Sequence, residues 1–504
     1  MRSFLLSKIV VPLHLAIIVA YLAWAQPGPD SIASYLPLSF LCLGLLEVML
    51  LFPSARRGED VDFARERVCT EIKEDPVLHI GLLGTAFALL QVLNGPRQLV
   101  YVRASHAWEY TSGHIEGFPA CLDMLLSAQG LFLVVTVLLA LLAVRRSMGR
   151  NGRTLLVEFI VAVATVLGLY GLYLYARTPF YDELGGKILE APETFATFSS
   201  KTEAGAFFLM NSCAAFGFLF KELVRESGED EEDRGKFRAR FLFFAFVVNV
   251  GATLFTLSCL SIALLFAVLI LLAVYTFVFV IKNSPGELSL SSFAAVVILI
   301  AAVGFLHFVA YPENRIHDCT ARIFSGEWRT GEEKAEQAVL KSAAWRMAGD
   351  NIVGGVGKSC YGIESGFPKY VLEEEWESVK DPDARHYLCG NDFAQLLAEQ
   401  GAVGAVLFLS PFVMMLIGAV ARISKLIKYG TKTKHGIRST TATDDSRIGI
   451  FDIVEPHVLA LFAAAGIATA MSFFVPVFGS LLNVLVWAIF FAAAVTSLPK
   501  PVRR

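Results

Sequence analysis

The sequence predicts an all-α polytopic integral membrane protein of about twelve transmembrane helices, with one large helical loop outside the membrane at residues 311–401. Three observations carry that expectation. Of 504 residues, 55% are hydrophobic and only 18% charged, less charge than a water-soluble chain of this length carries. The apolar residues gather in stretches of about 20, the length that crosses a bilayer as helix. The basic residues between those stretches alternate between rich and poor segments, as the positive-inside rule demands.

The stretches run, in order, over 9–25, 35–52, 77–95, 122–144, 154–176, 204–222, 239–258, 261–281, 289–310, 402–421, 456–475 and 478–497. The first, in "MRSFLLSKIVVPLHLAIIVAYLAWAQ", has a basic start and an Ala-x-Ala ending at Ala25, so it also fits a cleaved signal peptide. Its apolar core is long for that role, and a retained span is the expectation. The run from Arg240 to Ile281 is too long for one span and is divided near Ser258. The segments 53–76, 223–238 and 423–455 read as solvated connectors, and "ESGEDEEDRG" as an exposed charge run. The loop 311–401 divides the chain into spans 1–310 before it and spans 402–504 after it. No internal repeat is visible, which weakens a transporter built from inverted repeats.

With the N-terminus placed inside, most of the 43 Lys and Arg fall on inner segments. These include "SARRGEDVDFARER", "RRSMGRNGR", "DRGKFRARF" and "SKLIKYGTKTKHGIR". Both termini are then cytoplasmic. The loop 311–401 holds most of the remaining basic residues and is long enough to escape the rule. Net charge is −3, which points away from a nucleic-acid partner.

Inside the loop, Thr330 and Glu333 form a capping box that opens a helix through about Ala348. "NIVGGVGKSCYG", with Gly355 and Gly357, is a glycine-rich turn. "YVLEEEWESV" reads as a second short helix and "NDFAQLLAEQ" as a third, capped by Asn391. Cys319, Cys360 and Cys389 share the loop, where one disulfide among them is plausible in an oxidising compartment.

Few chemical templates fit. "IVGGVGKS" resembles a phosphate loop but has Ile352 where glycine is needed, and no strand precedes it. HExxH, paired CxxC and G-x-S-x-G are all absent from the sequence. Expected cofactors and metals are therefore none. The outer face does hold cations: Arg322, Arg346, Lys358 and Arg385 lie in the loop. Guanidinium groups bind phosphate bidentately, so these four are candidates for holding a pyrophosphate on a lipid carrier. The plainer reading is that any soluble loop of this size carries such charges. Trp328, Trp345 and Trp376 suit sugar stacking or anchoring at the membrane surface equally.

"GNDFAQLLAEQGAVGAVLF" resembles the signature of the O-antigen ligase and polymerase superfamily, in which an outer helix runs into Gly-x-x-Gly and then into a span. Asn391, the stretch Asp392 to Gln400, Gly401 and Gly404 match that pattern. "WRMAGDNIVGGVGKSCYGIESGFPKYV" resembles the family's upstream segment, and "FATFSSKTEAGAFFLM" its entrance to a middle span. Two departures stand out. Gly390 occupies the place of the family's histidine, and Cys259 in "LSCL" that of an arginine. His386, one helical turn before Gly390, is the substitute histidine on this reading.

The resemblance implies a glycosyltransferase of the bacterial inner membrane. Its donor would be a saccharide on undecaprenyl pyrophosphate, and its acceptor a hydroxyl of lipid A core, a protein or another glycan. His386 is the first candidate for the base and Glu399 the second. Glu399 also fits a simple interfacial anchor. Two other classes remain: a transporter of lipid-linked or anionic solutes, which would bury ionisable groups at mid-membrane, and a catalytically inactive relative within an assembly complex.

Overall fold

A computed structural model describes residues 2–25, 35–53, 61–94, 99–103, 107–110, 115, 118–177, 194–223, 232–283, 331–358, 360–361, 367–372, 375, 389–429, 432–433, 436–437 and 454–499. Eleven of the apolar stretches fall on a helix there. The helices are α1 Arg2–Ala25, α2 Tyr35–Leu51, α3 Val61–Lys73, α4 Pro76–Leu93, α5 Met124–Leu142, α6 Arg150–Arg177, α7 Lys201–Leu223, α8 Glu232–Phe255 and α9 Cys259–Asn283. They continue with α10 Gly331–Asp350, the single turn α11 Phe367–Tyr370, α12 Asp392–Tyr429, α13 Pro456–Met471 and α14 Leu481–Ser497. The stretch 289–310 lies outside the described residues. Among the described residues, six helices are long and apolar enough to cross a membrane: α4, α5, α6, α7, α8 and α12. The protein is thus mostly helical and membrane-embedded.

Local chemistry sets the helix ends. Asp75 caps α4 by accepting from the Val77 N–H, with Pro76 at the first helical position, where its missing N–H costs nothing. Asp123 caps α5 by accepting from Leu125 and Leu126. The division near Ser258 is real: α8 stops at Phe255, Leu257 has φ 56°, and α9 starts at Cys259. Two short hairpins accompany the helices among the described residues. Leu99–Val102 (β1) pairs antiparallel with Ala107–Tyr110 (β2), and Lys432–Thr433 (β3) with Gly436–Ile437 (β4). "LVYV" and "AWEY" are rich in β-branched and aromatic residues, which suits paired strands, but runs of four are too short to stand out beside the helical periods. Most of the second short loop helix expected at 370–379 lies outside the described residues; Phe367–Tyr370 form a single helical turn and Glu375 lies in a short 3₁₀ turn.

The chain forms two compact units. One contains Met1–Gly152, Arg329–Val413 and Thr469–Leu485; the other contains Arg153–Trp328, Met414–Ala468 and Val486–Arg504. In the first, α4 packs along α5, with Gly81 against Leu138. The segment that begins with α10 builds a core there, joining Leu340, Ala344 and Met347 of α10 to Cys121, Val356 and Tyr361. In the second, α7 is the central helix, its apolar window wholly buried. Phe216 meets Phe246 of α8, Gly217 admits Ala460, and Gly205 admits Ser261. Arg238 bridges Glu158 and Glu222, one cation shared between two carboxylates.

Candidate functional site

The site lies in the first unit, where the two motif segments meet. Asn391 is the N-cap of α12, its Oδ1 accepting from the Ala394 N–H at 2.9 Å. Its Nδ2 donates to the Phe473 carbonyl at 2.8 Å. Asp392 is equally committed: its N–H donates to the Ser472 carbonyl, and its Oδ2 accepts from the Val477 and Phe478 N–H groups. The start of the motif helix is therefore clamped onto the turn that follows α13.

The helix then breaks at Gly401, where φ is 64° and ψ is −178°. That region is essentially restricted to glycine. The break is filled by the glycine turn. Val356 N–H donates to the Ala398 carbonyl, Gly357 N–H to the Glu399 carbonyl, and Ala402 N–H to the Ile352 carbonyl. A Cβ on Gly355 would lie 2.3 Å from the Glu399 carbonyl oxygen, and one on Gly401 2.5 Å from that of Val353. Gly404 faces Phe87 of α4, where a Cβ would approach to 2.6 Å. Gly357 sits equally close to Cys121 and Ser127. Gly401 and Gly404 thus permit close approach, at Gly401 of the loop's own glycine turn and at Gly404 of α4.

At the centre stands Glu399, fully buried. Its Oε2 accepts from Lys358 Nζ at 2.5 Å and its Oε1 from Gln395 Nε2 at 2.9 Å. Gln91 of α4 ties the same node together, its Nε2 donating to the Gly354 and Glu399 carbonyls. Lys358 lies across Gly130 and keeps a fifth of its side chain exposed, whereas its partner carboxylate has none exposed. Glu399 is accordingly no surface anchor, because a carboxylate without solvent needs its charge matched by protein.

The other predicted residues separate. Arg346 on α10 binds Glu375 through both guanidinium arms, at 2.7 and 2.8 Å, and the Tyr370 carbonyl at 2.8 Å. Its guanidinium holds the Glu375 carboxyl below the usual range, and Glu375 in turn raises Arg346. Arg322, Arg385 and His386 lie outside the described residues. Gly390 has φ +72°, and a Cβ there would meet Gln337 at 3.2 Å, so the backbone itself opposes a histidine at this place. Cys360 and Cys389 are free, buried thiols, which excludes a bridge between them; Cys319 is outside the described residues. Cys259, in contrast, is disulfide-bonded. Trp345 meets Phe393 edge-on at 6.4 Å, and Phe393 meets Phe473 at 5.9 Å.

Sequence reasoning missed Gln91, Gln395 and Asp392. The i,i+4 spacing of Gln395 and Glu399 on one helix is a legible signal, but nothing local points to Gln91, far away on α4. No protein-family profile matches the chain, and no curated protein is significantly similar to it.

Proposed function

We propose that this protein is an O-antigen-ligase-like glycosyltransferase that spans the inner membrane about twelve times, with both termini inside. It transfers or polymerises a saccharide from undecaprenyl pyrophosphate onto an acceptor hydroxyl at the outer face. The bond from the anomeric carbon to the pyrophosphate oxygen breaks, and a bond from that carbon to the acceptor oxygen forms. The acceptor proton passes to a base, with His386 first and Glu399 second. Negative charge left on the pyrophosphate needs fixed cations, and Lys358, Arg346, Arg322 and Arg385 are the candidates. The observation that supports this reading is the meeting of its two motif segments at one node, with a lysine, Lys358, one-fifth exposed and held by a buried carboxylate. Both Glu399 oxygens are engaged in that node, so Glu399 can act as base only after Lys358 turns to the donor.

The experiment is transfer by the purified full chain in proteoliposomes, with an undecaprenyl-pyrophosphate saccharide and a glycan acceptor. Loss of a general base costs about 10²–10⁴ in rate, so His386→Ala should fall in that range with folding intact. If His386→Ala is fully active and Glu399→Gln is not, the base is Glu399. A surface glycan unchanged by deletion of the gene would overturn the reading.

A further inference from the structure

The glycine turn carries two side chains that the node leaves exposed. Ile352 is 63% and Val353 60% exposed, while the backbone around them is tied inward. Asn351 N–H donates to the Met347 carbonyl and Gly355 N–H to that of Asn351. The Gly354 carbonyl accepts from Gln91, and the Val356 carbonyl from the Leu122 N–H. Two large aliphatic side chains exposed at a turn tip, with several of the turn's backbone groups bonded inward, differ from an ordinary solvated loop, whose side chains are polar.

The depth of the tip follows from its partners. Ile352 bonds to Ala402, in the first turn of α12 beyond the break. Gly354 bonds to Gln91, in the last turn of α4. Both helices are apolar enough to span a membrane, so the tip lies level with the ends of two spans. Both helices carry exposed apolar residues close in sequence to these bonds. Leu93 ends α4 exposed, and Asn94 gathers Ile115 and Phe118, both exposed, by accepting from Ile115 N–H and donating to the Ile115 and Phe118 carbonyls. Val403 and Val406 of α12 are exposed on the other side. Non-helical backbone at membrane depth is tolerated only where protein satisfies it; the Ile352 and Gly354 carbonyls accept from Ala402 and Gln91, while the Ile352 and Val353 N–H groups stay at the headgroup boundary and only the side chains reach inward.

We infer that the Ile352–Val353 tip is a membrane-inserted wedge, seated among acyl chains of the leaflet that borders the C-terminal end of α4. Part of the segment read from sequence as a wholly extramembrane loop is then a monotopic contact with lipid. The inference rests on the membrane position of α4 and α12 and not on the proposed reaction, so either can fail alone.

The test uses the full chain in proteoliposomes, with Cys69→Ser to remove a partly exposed thiol. A nitroxide is attached at Val353→Cys, and separately at Ile352→Cys. Val406→Cys serves as the lipid reference and Lys341→Cys, exposed on α10, as the aqueous one. Collision with oxygen and with a water-soluble nickel chelate is read from power-saturation spectra. Labels at 352 and 353 should match Val406→Cys, with high oxygen and low nickel accessibility. Behaviour like Lys341→Cys would overturn the inference. So would low accessibility to both reagents, which would mean that protein, such as a second copy of the chain, covers the tip.

Discussion

Replacing Gly401 by alanine tests the node most directly. The residue sits at φ 64°, ψ −178°, a conformation costing other residues about 1–3 kcal/mol. The new Cβ would lie 2.5 Å from the Val353 oxygen and 2.7 Å from the Gly355 nitrogen. Both are backbone atoms, so no rotamer change relieves the clash, and the glycine turn must move. Movement strains the bonds from Val356 to Ala398, Gly357 to Glu399 and Ala402 to Ile352, each worth about 1 kcal/mol. Gly401→Ala should therefore destabilise by roughly 2–5 kcal/mol. Gly418, on the same helix, is the control, because a Cβ there meets nothing within 4 Å. Gly418→Ala should be neutral or stabilising by up to about 1 kcal/mol. Thermal unfolding of both variants in detergent, followed by intrinsic fluorescence, measures the difference. Equal midpoints for the two would refute the reasoning, since neither the backbone angle nor the clash would then matter.

Lys358→Ala leaves Glu399 buried without its cation, a loss of about 3–5 kcal/mol; the double change Lys358→Met with Glu399→Gln should recover much of it in the same unfolding assay. Arg346→Ala removes a partly exposed ion pair and should cost about 1 kcal/mol or less, so a large drop in transfer at unchanged stability would mark it as a phosphate ligand. The pH dependence of that pair has a definite sign. Arg346 depresses the folded Glu375 carboxyl, so its stabilisation is present above the ordinary carboxylate range and lost as pH falls through the lowered value. Stability of wild type and Arg346→Ala, measured against pH, should converge in acid. Burial pushes the Cys360 and Cys389 thiols up to about 12, so at pH 8 neither should react with iodoacetamide in the native protein, and both should react after unfolding. Mass spectrometry of tryptic peptides distinguishes the two states.

Much of the architecture was legible because lipid imposes a simple rule: every backbone polar group must be bonded within its own helix, so spans are long apolar runs. The break before Cys259, the cap at Asn391 and the helix closing near Ala348 all follow from chemistry within a few residues. The hairpin at Leu99–Tyr110 was hidden because a four-residue strand gives too short a period to stand out beside long helices. In the candidate site, Gly401 and Gly404 could be singled out from spacing, and Glu399 and Lys358 as charged residues near a span.

The sequence by itself determined which segments are helical, where they are capped and where the chain must bend, because those depend on neighbours in the chain. Only the tertiary structure decided that Lys358 belongs to Glu399, that Gln91 serves the glycine turn, and that Ile352 and Val353 face outward at the level of two span ends. Those pairings join residues that are distant in sequence. A buried carboxylate takes whichever cation the packing delivers to it, and no local pattern records that choice.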